Sequence, residues 1–143
     1  MIVRREFARN LFVVLLALIG AATAVGVRAA EAERIVLQVS DGDVKTWNQT
    51  LNVAENLQKA YSKGTKIEIV AFGMGINMLK MDAPVSGRVA DAVKSGVVAY
   101  ACENSMGRFK LARSDMAPDV VYVEAGIQHI ITRQREGWAT IRP

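Results

Sequence analysis

What most constrains the fold of this 143-residue chain is an alternation that begins near residue 34, of short β-branched runs with segments of helical period. Residues 34–40 carry Ile35, Val36, Leu37 and Val39 and stop at Asp41-Gly42-Asp43, a buried strand followed by a turn. From 44 to about 63 the pattern turns helical. Trp47, Leu51, Val53, Ala54, Leu57, Ala60 and Tyr61 share one arc, Asp43 or a neighbour caps the start, and Gly64 closes the end. Residues 66–72 form a second strand that ends at Gly73-Met74-Gly75, and a short helix is expected over 76–81. Pro84 breaks the chain, and a third helix over 86–95 turns Val85, Val89, Ala92 and Val93 inward and Arg88, Asp91 and Lys94 outward. Residues 97–101 make a third strand that delivers Cys102 at its C-terminal end. A short helix over 103–110, a turn at 114–118, a strand over 120–123, a last helix over 126–136 and an edge strand over 138–141 complete the chain.

Strands alternating with helices at these spacings imply a three-layer α/β/α domain with a mostly parallel sheet of about five strands, covered on both faces. In open sheets of this kind, chemistry gathers beyond the carboxyl ends of the strands. The loops at Asp41, Gly73, Cys102 and Glu124 all belong to that edge.

Residues 1–29 do not fit the alternation. Arg4, Arg5 and Arg9 precede an unbroken apolar or small run from 11 to 27, the order of an export signal. Small residues from Gly20 to Gly26 dilute its second half, so a cleaved leader is expected rather than a stable membrane anchor. The expected cut follows Ala29, with Ala22-Thr23-Ala24 the competing site. Arg4-Arg5-Glu6-Phe7-Ala8-Arg9 resembles the twin-arginine signal, with Ala8 where leucine is usual; a general secretory leader is the alternative. Either way a periplasmic protein is expected, with 30–143 as its one domain.

The leader also carries the charge. The chain has 18 basic and 14 acidic side chains, of which the leader holds four and one, so residues 30–143 have a net charge of +1. A nucleic-acid partner, which requires concentrated positive charge, is therefore not expected. One cysteine in an exported chain cannot form an internal disulfide. It pairs with another molecule, serves as a free reactive thiol, or packs as a small hydrophobe. Cys102 follows a buried strand and opens a helix, where unpaired N–H groups favour a thiolate, while Glu103 beside it disfavours one.

Cys102-Glu103-Asn104-Ser105-Met106 at the end of the third strand resembles the cysteine segment of the DsrE/DsrF-like family. Similar matches lie at 47–57 in the first helix, at Ile69-Val70-Ala71-Phe72-Gly73, and at the ending Gly137-Trp138-Ala139-Thr140-Ile141-Arg142-Pro143. The resemblance covers residues 33–143. It implies sulfur relay by a persulfide on Cys102, homo-oligomeric assembly, donor and acceptor proteins, and no cofactor or metal. Asn104, Ser105 and the loop of Gly73, Met74 and Gly75 are the residues expected to shape that site. The better understood relatives act in the cytoplasm, whereas this chain opens on a leader.

Other residues invite chemistry less. Asn48, Asn52 and Asn56 form a polar stripe opposite the apolar arc, expected to be solvated or to meet another subunit. His129 is the sole histidine. Ile127, Ile130 and Ile131 are expected to define the buried side of the last helix, with His129 pointing away alongside Arg133 and Glu136. Asp41-Gly42-Asp43 is an ordinary turn with a cap, and Gly73-Met74-Gly75 is too short for a nucleotide-binding fingerprint. Met74, Met78, Met81 and Met106 either line the thiol or pack in the core or an interface.

Overall fold

The computed structural model describes residues 32–61 and 64–143. The expected leader, 1–29, lies outside the described residues, as do residues 30 and 31 of the expected domain. Among the described residues, five strands form one sheet: β1 (Arg34–Val39), β2 (Lys66–Ala71), β3 (Val98–Cys102), β4 (Val121–Val123) and β5 (Ala139–Ile141). Their order is β4-β3-β2-β1-β5, and every neighbouring pair is parallel. The helices are α1 (Val44–Ala60), α2 (Ser86–Lys94), α3 (Glu103–Arg108) and α4 (Gly126–Arg135). The chain is therefore the α/β fold expected, with all five strands parallel.

Local signals account for most boundaries. Asp43 caps α1, its carboxylate accepting from the Lys45 N–H at 2.9 Å. Trp47 on the first turn of α1 is buried and donates its indole N–H to the Asp41 carbonyl at 2.9 Å, which ties the helix start to the end of β1. The short helix expected over 76–81 is instead a 3-10 segment, Gly73–Leu79, that begins earlier. Gly73 there has φ +55°, a left-handed value that turns the chain sharply off the end of β2.

The period-2 pattern of the strands divides the core in two. Ile35, Leu37, Val39, Ile67, Ile69, Ala71, Ala99 and Ala101 face one way and pack against α1, α2, the 3-10 segment and Met106 of α3. Val36 and Val70 face the other way, with Phe72 and Tyr100, and meet Ile130 of α4 and Trp138. The second face thus has one helix where the first has three.

Connectivity explains the imbalance. From β1 to β4 each parallel connection steps in one direction across the sheet, and right-handed crossovers place those helices on one face. The link from β4 to β5 returns across the whole sheet, so α4 lies on the opposite face. The chain leaving β3 and the chain leaving β4 therefore part to opposite sides. The crevice between them, at the carboxyl ends of β3 and β4, is a topological switch point of the kind where ligands bind in open α/β sheets.

Candidate functional site

Cys102 occupies that switch point. It is the last residue of β3 and the residue that opens α3, opposite Val123 in the parallel register with β4. Its side chain shares the second sheet face with Tyr100, and the residue is only 4 % exposed. The sulfur lies 3.9 Å from the Glu124 carbonyl oxygen, to which a neutral thiol donates.

Burial pushes the Cys102 thiol up, since desolvation penalises the charged form, yet its pKa lies below the ordinary thiol value. The opposing groups are hydrogen-bond donors: the Gly126 N–H, the Ser105 hydroxyl, the Ser105 N–H and, least, the Asn104 N–H, which also donates to the Glu124 carbonyl oxygen at 3.1 Å. They come from two chain segments, the start of α3 and the start of α4. Gly126 is forced into contact with the sheet here. A Cβ at that position would stand 3.2 Å from Phe72 Cβ, 3.3 Å from Cys102 Cβ and 3.3 Å from Val70 Cγ1. A larger residue would lift the helix start and its N–H away from the sulfur.

Ser105 joins the thiol to the loop after β2. Its oxygen accepts from the Gly73 N–H at 2.8 Å, which leaves the hydroxyl proton free to point at the sulfur. Gly75 supports this loop from below by lying flat on the end of β1, where a Cβ would stand 2.2 Å from the Val39 carbonyl oxygen. Of the residues expected to shape the site, Ser105, Gly73 and the main chain of Asn104 gather around Cys102 directly or in one step. Gly75 acts by backbone approach. The Met74 side chain is half exposed and leans toward Gly42 instead.

Glu103 disfavours a thiolate less than its position in the sequence suggests. Its carboxylate is paired with Arg113, whose guanidinium also stacks 4.3 Å from the centre of the Tyr122 ring. The hydrogen bond to Glu103 holds Arg113 above its ordinary range.

Several expected placements are corrected. In α4, Gly126 and Ile130 are buried, whereas Ile127 is 50 % exposed and Ile131 41 %. His129 and Arg133 turn inward, to Glu68 on β2, because a carboxylate buried under the helix requires partners there. Asn52 and Asn56 are exposed and Asn48 half-buried, and two of the three also bind within the chain. The side-chain oxygens of Asn48 and Asn52 accept from Arg88 of α2 at 2.6 and 2.7 Å, so Arg88 folds back onto α1. The methionines do not form one lining: Met78 and Met106 belong to the first core, and Met74 and Met81 are exposed.

Two surface clefts lie away from the thiol. One of about 310 Å³ runs between α1 and α2 beside Leu51, Glu55 and Arg88. The other, about 490 Å³, lies beside Lys80, Met81 and Leu111. Neither is lined by a group poised for covalent chemistry. Among the described residues, no three His, Cys, Asp or Glu side chains gather as a metal-ligand set, and no helix is long and apolar enough to cross a membrane.

No family model and no curated protein matches the chain. Among solved structures it is similar to a protein of unknown function from Methanobacterium thermoautotrophicum, with 33 % identity and a TM-score of 0.75. The match covers 78 % of this chain and 99 % of that one, and so takes in essentially the whole of the other protein.

Proposed function

We propose that this chain, which belongs to the same family as the Methanobacterium thermoautotrophicum protein, is an exported DsrE/DsrF-like sulfur carrier that holds sulfane sulfur as a persulfide on Cys102. The observation that carries this reading is the set of donors around a buried thiol at the sheet's switch point, enough to lower its pKa against the cost of burial. A thiolate, not a thiol, attacks sulfur.

The chemistry needs nothing beyond that group. The Cys102 thiolate attacks the outer sulfur of a donor persulfide, R–S–SH. A sulfur–sulfur bond forms on Cys102 as the donor's breaks, and R–S⁻ leaves and takes up a proton. An acceptor thiolate then attacks the outer sulfur of Cys102–S–SH and expels the Cys102 thiolate. The acceptor must be another molecule, because the chain has no second cysteine. Ser105 and the main chain of Asn104 help hold the thiolate, and the Gly73 to Gly75 loop acts through the Gly73 N–H that fixes Ser105. Work in a periplasm, assembly as a homo-oligomer, and donor and acceptor proteins as partners belong to the same proposal.

Incubation with a sulfane-sulfur donor should add the mass of one sulfur atom to the folded protein, removable by reductant and absent in Cys102→Ser. No gain in mass sinks the proposal. The deep burial of Cys102 favours a second reading, a non-catalytic oligomeric or ligand-binding module in which the cysteine only packs. Resistance of the native thiol to both sulfur donor and alkylating reagent would select it.

A further inference from the structure

On the sheet face that carries Cys102 lies a polar cluster that persulfide chemistry does not use. Glu68 sits on β2, the central strand, and is 4 % exposed. Its carboxylate accepts from Arg133 Nε at 2.9 Å and Nη2 at 2.7 Å, and lies 2.8 Å from His129 Nε2. The His129 ring rests on Tyr100 with ring centres 4.3 Å apart. Arg133 lies 4.7 Å from the centre of the Trp138 ring and bonds Glu136 at 2.9 Å. His129 and Arg133 are one turn apart on α4, so one strand carboxylate grips two successive turns of the helix.

A buried ion pair adds little net stability over an apolar packing, but it is directional. Direction is what the apolar packing of α4 supplies least. Of its ten residues only Gly126 and Ile130 are buried, and apolar contact is non-directional, so beyond the close approach of Gly126 little else sets the rotation of the helix. The first residue of the same helix is Gly126, whose N–H faces the Cys102 sulfur and whose backbone lies against Phe72 and Val70. His129 lies one turn further along.

We propose that Glu68, His129 and Arg133 act as a positioning clamp for Cys102, fixing the rotation and register of α4 so that the Gly126 N–H is held on the sulfur. The inference rests on the reactive-thiol reading above and names residues which that reading leaves idle. The titratable groups on the elements packed about the thiol are Tyr100 on β3, Glu103 at the start of α3, paired with Arg113, Glu124 after β4, and His129 on α4, which belongs to the clamp and rests on Tyr100.

The test is the pH profile of Cys102 alkylation by iodoacetamide in the folded protein, with the Gly126 amide followed by NMR through the same titration. Glu68→Gln keeps the volume but cannot hold both partners. The thiol midpoint should rise, the rate at neutral pH should fall about threefold or more, and the Gly126 amide should lose its response to the thiol. A role through charge alone has the opposite sign, because deleting an anion and freeing Arg133 both favour a thiolate. An unchanged or lowered midpoint therefore overturns the clamp. His129→Ala, which leaves Arg133 on Glu68, keeps the test alive if Glu68→Gln does not fold; because charge alone would also raise its midpoint, its deciding readout is the Gly126 amide, whose response to the thiol should weaken, and an unchanged response counts against the clamp. A wild-type midpoint in the ordinary thiol range overturns the reactive-thiol reading and the clamp with it, whereas a depressed wild type with unmoved variants overturns the clamp alone.

Discussion

Replacing Gly75 by alanine puts a methyl group where the backbone of β1 already lies. The new Cβ would stand 2.2 Å from the Val39 oxygen, 2.6 Å from the Val39 carbonyl carbon and 3.0 Å from the Ser40 nitrogen. Close carbon–oxygen approaches in proteins are about 3.3 Å, so the 3-10 segment must withdraw by about 1 Å. All three opposing atoms are main chain, and the Val39 oxygen is itself held by the Phe72 N–H at 3.0 Å, so no rotamer change relieves the clash. Overpacking that flexible side chains can absorb costs about 1 to 3 kcal/mol; this rigid case should cost about 3 kcal/mol or more. Gly107 in α3 is the matched control, with nothing within 4 Å of its Cβ position. The same substitution there should gain up to about 1 kcal/mol from helix propensity and a less flexible unfolded chain. Urea unfolding followed by the fluorescence of the buried Trp47 and Trp138 measures both variants against wild type. A Gly75→Ala protein within about 0.5 kcal/mol of wild type, or two variants shifting the same way, would refute the reasoning.

Three further outcomes follow from the site and its helix. Ser105→Ala removes the hydroxyl that accepts from Gly73 and donates to the sulfur; losing a hydrogen bond to a charged group, worth about 1.5 to 3 kcal/mol, should raise the thiol midpoint and slow alkylation at neutral pH. Because folding lowers the Cys102 pKa, the unfolded state binds more protons between the folded and unfolded values. Unfolding free energy should therefore climb with pH through that window, be fully gained above the unfolded thiol value, and be lost as pH falls through the folded one, a segment that Cys102→Ser should flatten in unfolding curves taken across pH. On α4, Ile130→Ala should cost about 2 to 5 kcal/mol in chemical denaturation while Ile131→Ala stays within about 0.5 kcal/mol; equal effects would contradict the observed helix face.

Much of the architecture is legible in the sequence because it rests on local rules. Ile35, Val36, Leu37 and Val39 read as a strand whichever neighbours they acquire, Asp43 announces the start of α1, and Cys102 falls at the end of β3 because Val98 to Ala101 are β-branched, small or aromatic and Gly96 precedes them. The α4 face is the instructive failure. Counting apolar side chains favours Ile127, Ile130 and Ile131 inward, yet two of the three are exposed. The signal was present in β2, where Glu68 interrupts Ile67, Ile69 and Val70. A charge at a buried strand position requires partners, and among the described residues His129 and Arg133 meet that need.

The sequence by itself therefore determined the succession of elements, the parallel α/β class and the place of the single thiol at a strand end. Tertiary structure alone decided the strand order β4-β3-β2-β1-β5, and with it the switch point that opens beside Cys102. It also decided the thiol's surroundings, since Gly126 lies 24 residues further along the chain and Gly73 reaches Ser105 across 32. Periodicity is a property of neighbouring residues and records which side of an element is apolar. Hydrogen bonds to a thiolate and partners for a buried carboxylate depend on which distant segments the crossovers bring together, and no local pattern encodes that.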